Sequence, residues 1–335
     1  MLPDVTVVIP TKNRRALFRR ALGTALGQRR VTVEVIAVDG GSEDNTAEDA
    51  RQLAHLGVRV IRHDQSPGLS AARNAGIAEA RAPWIAFLDD DDLWAPDKLA
   101  TQLERVEQAR PDGSRPEWVC CSCVLVDERD RIIGWASAGP EDIDAPRLLT
   151  NGIVPGGGSG VMVRTDALRD VGPFDESLKL YEDWDMWIRL ALRGGAPSVD
   201  RPLLAYRVWR SMSSAAVDLE GAWRGIADRY VEDANRLGVR TDPAAYYRYR
   251  AFRSLHSGRH HEAAEAYRRL AELNSSRKSS ALAVAAHRAG SPLLSVLSWR
   301  DRRRVPQAIR KEATGWLDEM ERNGHRWVGE LPGLV

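Results

Sequence analysis

An apolar run, Trp84-Ile85-Ala86-Phe87-Leu88, breaks off abruptly into Asp89-Asp90-Asp91-Asp92. Four adjacent carboxylates repel one another, and a hard divalent cation relieves that repulsion well. Magnesium takes one or two protein carboxylates, keeps waters and completes its shell with substrate phosphates. On an extended continuation of the run, Asp89 and Asp91 point one way and Asp90 and Asp92 the other. The structural alternative is a solvated acidic turn in which Asp92 caps the next helix.

Three further groups carry chemistry. Asp39-Gly40-Gly41-Ser42-Glu43-Asp44 follows an apolar run. Its glycines permit a tight turn, Ser42 or Asp44 could cap a helix, and a carboxylate there could accept from a nucleobase N–H. Arg73, inside the small-residue stretch Gly68 to Gly76, has a fork suited to a diphosphate, or it neutralises nearby aspartates. Glu182-Asp183 stands at the start of a helical pattern, where acids are electrostatically favoured.

These groups need a frame that brings them together. Val5 to Ile9, Val33 to Val38, Val58 to Ile61 and Trp84 to Leu88 read as strands. Arg14 to Leu26, Asp44 to Leu56 and Leu69 to Ala80 read as helices between them. Alternation of this kind predicts parallel strands joined by right-handed crossovers, with ligands outside the carboxyl ends of the strands. Asp39 and the acids from Asp89 onward both follow strands directly, so they should share one edge. Further on, Trp118 to Val126 and Arg131 to Trp135 read as paired strands, and Pro155-Gly156-Gly157-Gly158-Ser159-Gly160 as a linker or a ligand-dependent loop.

The ordered set Pro10-Thr11-Lys12-Asn13-Arg14, Asp39-Gly40-Gly41-Ser42 with Asp44 and Thr46, Gly68 to Gly76, and Phe87-Leu88-Asp89-Asp90-Asp91-Asp92 with Pro96 resembles family 2 glycosyltransferases. The resemblance covers roughly the first two-thirds of the chain, ending near Ser214. It implies the α/β GT-A fold, a Rossmann-like, mostly parallel central sheet flanked by helices, here followed by an all-helical C-terminal domain. It implies an inverting transfer of a sugar from a nucleotide-diphospho-sugar to an acceptor hydroxyl, of hexosyl type, in polysaccharide, glycolipid or natural-product glycosylation.

In that family Pro10, Thr11 and Lys12 would line the nucleoside pocket and Asp39 would contact the base. Asp89 or Asp90 would lie next to ribose, and Asp91 would hold Mg2+ or Mn2+ bridging the diphosphate. Arg73 would stabilise the leaving group, and Asp183 would be the catalytic base. One departure stands out. After Leu203-Leu204-Ala205-Tyr206-Arg207, where many relatives carry a His, this chain has Trp209; Arg207 or Arg210 would then share the phosphate contact. The alternatives are a sugar nucleotidyltransferase, disfavoured because no Arg- and Lys-bearing glycine loop follows the first strand, and a non-catalytic nucleotide-sugar-binding or scaffold protein.

Beyond residue 215 strand signals stop, and helical patterns run over Leu219 to Leu237, Pro243 to Leu255, His260 to Leu273, Ser279 to Ala289 and Val305 to Met320. The expected division is therefore 1–215 for the nucleotide-sugar-binding and catalytic domain and 216–335 for the helical domain. Tyr249 to Leu273 resembles one tetratricopeptide-type hairpin, but without a second repeat an ordinary helical packing unit is the expectation.

The 335 residues carry a formal charge of +1, which gives no drive toward nucleic acid. Cys120, Cys121 and Cys123 read as reduced thiols packed in a strand. No run approaches the roughly 20 apolar residues of a membrane span, so a cytoplasmic protein is expected. Leu293 to Arg304, apolar then basic, leaves peripheral contact at the inner face of the membrane open. The acceptor, whether glycan, lipid-linked or a small molecule, and the oligomeric state are not legible.

Overall fold

The computed structural model describes residues 2–108, 113, 115–152, 154–209, 218–274, 282–284 and 305–328. Its first half is the alternation expected: β1 (Val5–Thr11), α1 (Arg15–Leu26), β2 (Val33–Asp39), α2 (Thr46–Gln52), β3 (Val58–Arg62), α3 (Leu69–Glu79) and β4 (Trp84–Phe87). The four strands pair in parallel in the order β3-β2-β1-β4. All seven residues of β1 are buried, as befits a strand covered on both faces. Val5, Val7 and Ile9 enter one core layer and Val8 the other, following the two-residue period of a strand.

Small residues let α3 lie close on the sheet. A Cβ at Gly76 would fall 2.3 Å from Val8 Cγ1, so only glycine fits that contact without displacing backbone. The helix expected over Asp44 to Leu56 is interrupted: α2 ends at Gln52 and a 3₁₀ turn, Ala54–Leu56, completes the crossover.

The second half is β5 (Leu93–Trp94), α4 (Lys98–Glu107), β6 (Trp118–Val126), β7 (Ile132–Ala136), α5 (Ala145–Asn151), β8 (Val161–Arg164), α6 (Thr165–Val171), α7 (Glu182–Arg193) and β9 (Ser198–Arg207). Strand β8 inserts antiparallel between β4 and β6, and β9 runs parallel to β6. The full sheet has nine strands in the order β3-β2-β1-β4-β8-β6-β9-β5, with β7 on β6. It is thus a mixed sheet around the parallel core that the alternation predicted. Cys120, Cys121 and Cys123 are free and buried in β6, as packing residues should be.

Helices follow: α8 (Leu219–Arg229), α9 (Val231–Arg236), α10 (Pro243–His256), α11 (His260–Asn274) and α12 (Gln307–Val328). The pattern over Leu219 to Leu237 is two helices meeting at Tyr230. Helices α10 and α11 form a hairpin, turning at Gly258 with φ 70°. The last helix returns to the sheet: Trp316 donates its indole N–H to the Pro202 carbonyl at 2.9 Å, and Val305, Ala313 and Trp316 join the core beneath α1. The helix expected over Ser279 to Ala289, apart from 282–284, and the Leu293 to Arg304 segment lie outside the described residues. Among the described residues no helix is long and apolar enough to cross a membrane.

Candidate active site

The parallel core places the chemistry at one edge. Thr11 and Asp39 end β1 and β2 as register partners. Asp39 is buried, and its carboxylate accepts from the Ser42 backbone N–H at 3.2 Å, which fixes the tight turn. Arg62 Nη1 stands 3.6 Å from it. Thr11 Oγ1 donates to Asp90 Oδ2 at 2.8 Å, linking this corner to the acids after β4. Pro10 is buried inside β1, and Lys12 is exposed just beyond it.

The acids do not continue β4. Asp92 N–H donates to the Asp89 carbonyl at 3.1 Å, closing a turn, so the expected alternation of faces fails. Asp90 and Asp91 instead share one cation, with Arg14 Nη1 3.0 Å from Asp90 Oδ1 and 3.1 Å from Asp91 Oδ2. Trp209 donates its indole N–H to the same Asp91 Oδ2 at 2.6 Å. Asp92 is buried and accepts from the Arg207 backbone N–H at 2.9 Å. It does not cap the next helix, whose N-cap is Asp97.

Burial pushes the Asp90 carboxyl up to about 6, with Arg14 opposing. Burial and the neighbouring Asp89 raise Asp91, against Trp209 and Arg14. Burial, then Asp91 and Asp89, hold Asp92 well above the ordinary range.

Arg73 is placed as the counter-ion to nearby acids, the second of the two roles its fork allowed. Its side chain is 2% exposed; Nη2 lies 2.9 Å from Asp89 Oδ1 and Nη1 2.9 Å from Glu182 Oε1. With Phe174 and Phe87 at 5.4 and 6.0 Å from the guanidinium carbon, it is a buried counter-ion joining the β4 acids to α7. Arg207 is similarly consumed. At 1% exposure, it binds the Asp91 and Asp127 carbonyls and Asp130, so it cannot reach a phosphate without breaking the turn. Arg210 lies outside the described residues.

The glycine segment is no linker. Gly157–Gly160 is a 3₁₀ turn held by Ser159, whose Oγ accepts from Asp89 N–H at 3.0 Å and whose carbonyl accepts from Trp94 Nε1 at 2.9 Å. A Cβ at Gly158 would come within 3.0 Å of Arg73 Nη2, and one at Gly157 within 3.0 Å of Asp183 Oδ2. Small residues therefore let this turn lie between Arg73 and Asp183.

Asp183 sits in the first turn of α7, which is entered through Tyr181 at φ 61°, a left-handed conformation unusual for an aromatic residue. Its Oδ1 accepts from Trp184 N–H at 2.8 Å. Burial raises its pKa, Arg73 opposes and Asp89 adds to the rise; Glu182 is raised by burial and by Asp183. A partly dehydrated carboxylate of this kind is a better proton acceptor than an ordinary aspartate.

Thr11, Asp39, Asp89, Asp90 and Asp91 thereby gather at one edge of the sheet, Arg73 ties Asp89 to Glu182 of α7, and Asp183 stands beside the glycine turn. Sequence reasoning left out Arg14 and the Trp209 contact with Asp91. Arg14 lay within the quoted Pro10 to Arg14 motif, but nothing in its spacing announced that it meets acids from residue 90 onward.

Residues 6–172 match the family described as glycosyl transferase family 2. Succinoglycan biosynthesis protein ExoO of Rhizobium meliloti (strain 1021) is 44% identical over 108 residues, 32% of this chain and 31% of that protein. ExoU of the same organism is 29% identical over 289 residues, 77% of this chain and 78% of that protein. The chain thus spans about a third of the length of the first and over three quarters of the second. S. aureus TarS 1-349 in complex with UDP-GlcNAc superposes with a TM-score of 0.54 at 16% identity, covering 96% of this chain and 92% of that one. This is a likeness of fold, and it fits the α/β GT-A architecture.

Proposed function

Residues 6–172 place the chain in glycosyl transferase family 2, and from that membership we propose that it moves a sugar from a nucleotide-diphospho-sugar to an acceptor hydroxyl with inversion at the anomeric carbon. The observation that carries this reading is the ladder Glu182–Arg73–Asp89, which sets Asp183 across a glycine turn from the acids that follow β4. A donor seated at the strand ends would have its base by Asp39, its nucleoside along Pro10, Thr11 and Lys12, and its ribose by Asp89 or Asp90. Arg14, paired with Asp90 and Asp91 but with its side chain 45% exposed, and the exposed Lys12 are cations that its phosphates would meet.

Family membership implies a divalent cation. The donor set suits one at Asp91, because its carboxyl stays raised by burial and by Asp89 even with Arg14 beside it, so negative charge there is incompletely compensated. Mg2+ or Mn2+ held by Asp91 would polarise the diphosphate and ease its departure. Trp209 offers only an N–H donor and can fix Asp91 but not ligate. Among the described residues no three acidic, His or Cys side chains form a ready-made metal cluster, so the donor's own oxygens would complete the shell.

Asp183 then acts on the acceptor. An alcohol attacks poorly until its proton is taken, and Asp183 receives that proton as the new bond to the anomeric carbon forms. The bond from that carbon to the phosphate oxygen breaks on the opposite face, and the nucleoside diphosphate leaves with the electron pair. The glycine turn over Arg73 keeps this corner small and partly shielded from water, which strengthens the charge interactions in it.

A panel of nucleotide sugars tests the reading, scored by binding and by released nucleoside diphosphate, with and without Mg2+ or Mn2+. UDP and UDP-GlcNAc, the ligands named with TarS, head the panel, and a hexosyl donor is the expected class. Selective binding of one donor with release of its diphosphate is the expected result. Failure of every donor to bind would end the proposal.

A further inference from the structure

Helix α10 bears two arginines one turn apart, Arg250 and Arg253, whose position relative to Asp183 follows from their neighbours. Tyr181, the residue before Glu182-Asp183, packs against the cluster containing Tyr246 and Tyr247 of α10. Further along the helix, the Arg253 guanidinium carbon lies 5.9 Å from the Tyr206 ring and 5.8 Å from the Tyr249 ring. Tyr206 shares a face of β9 with Leu204, and Leu204 closes on Gly156 at the head of the glycine turn, where an added Cβ would meet it at 2.0 Å. The next residue, Gly157, faces Asp183. Helix α10 therefore spans the gap between the entrance to α7 and the end of β9.

The partners of these arginines set them apart from the buried arginines of the sheet region and from their neighbour on α10. Arg19, Arg73 and Arg207 are buried and each has a carboxylate; Arg248 on the same helix pairs with Asp242. Among the described residues Arg253 makes no ion pair. Its Nη1 donates to the Tyr249 hydroxyl at 3.3 Å, and its Nε is buried with no hydrogen-bond partner. The Nε of Arg250 is buried and unpartnered in the same way, and Arg250 feels Glu265 of α11 through space without an ion pair to it.

Arg250 and Arg253 are half-buried, and a guanidinium partly withdrawn from water without a counter-charge is costly. Two tyrosine faces offset part of that cost. The acceptors still missing are anionic oxygens, and the planar fork of arginine matches those of a phosphate.

We propose that Arg253, with Arg250 behind it, binds a phosphate or diphosphate carried by the acceptor, so that the helical region selects a phosphorylated acceptor over a neutral one. This rests on the transferase reading for its location but not for its chemistry. The sugar accepts at a hydroxyl presented to Asp183, and the anionic group stays intact beside α10. The shared chemistry admits a soluble sugar phosphate or a lipid-linked diphosphate.

The test uses the full chain saturated with whichever nucleoside diphosphate it binds, so that the donor site is filled, and titrates in inorganic pyrophosphate by calorimetry. Binding to the wild type that weakens by about tenfold or more in Arg253→Gln, with nucleotide affinity unchanged, supports the site; Arg250→Gln should weaken it less. Glucose 1-phosphate and farnesyl diphosphate, titrated likewise, separate the soluble from the lipid-linked source by which of them the wild type holds more tightly. No pyrophosphate binding to the saturated wild type, or equal binding in Arg253→Gln, overturns the proposal. If no nucleoside diphosphate binds, the transferase reading falls, and pyrophosphate binding to the free chain, compared with Arg253→Gln, still decides the arginine site.

Discussion

The Trp209 indole N–H donates to Asp91 Oδ2 at 2.6 Å, on the oxygen that Arg14 also approaches. Trp209, where the family resemblance leads one to expect a His, thus meets the proposed cation carboxylate through a donor rather than a ligand. Trp209→His replaces that donor with a nitrogen able to ligate. Mn2+ should bind the nucleotide-loaded variant more tightly than the wild type, measured by electron paramagnetic resonance. Equal Mn2+ affinity would remove Asp91 from the metal role.

Arg73→Gln should be among the most destabilising substitutions in the sheet. It strands Asp89 and Glu182, each 2.9 Å from the guanidinium, in a buried corner. Breaking a buried pair costs about 3–5 kcal/mol, readable as a lower urea midpoint at unchanged slope. A variant as stable as the wild type would mean that water reaches this corner freely.

Asp183→Asn keeps the shape and abolishes the base. Turnover should fall by roughly 10²- to 10⁴-fold while donor affinity, measured by calorimetry, stays put. Because burial raises Asp183 above the ordinary aspartate range, the wild-type rate should lose its acid limb at a higher pH than a solvated aspartate would give. Turnover unaffected by the substitution would exclude Asp183 as proton acceptor.

Asp90 makes stability depend on pH. Its carboxyl is raised from 3.8 to about 6 by burial, so between those values the folded protein holds a proton that the unfolded chain has released. Stability from this group is therefore present at the low end and declines as pH rises through the window, by about 3 kcal/mol at most. Asp90→Asn should flatten that part of the pH profile in denaturant titrations between pH 4 and 7. A parallel profile would show that Arg14 and Thr11 fully compensate the charge.

What the sequence disclosed was whatever depends on neighbours along the chain. The β-branched runs and the helices between them forced a parallel core, and that core put Thr11, Asp39 and the β4 acids on one edge. The direction of individual acids was not legible, because the turn closed by Asp92 N–H and the Asp89 carbonyl depends on strand β9 holding Asp92 from residue 207. The contacts of Arg14 and Trp209 with Asp91 were missed for the same reason: they are made between residues that stand 77 and 118 positions apart in the chain. Arg73 was found with two roles open to it, and only packing beneath Gly158 reveals that both of its terminal nitrogens meet carboxylates.

The chain's thiols, all in one strand, have a practical consequence. Cys120, Cys121 and Cys123 have no exposed surface and burial raises their pKa values, so alkylating reagents have neither access nor thiolate to attack. Strand β6 lies inside the sheet, and the reagent gains entry only when that sheet comes apart. Maleimide incorporation over time therefore clocks global opening directly, and a bound donor that slows labelling would report its affinity without any turnover assay.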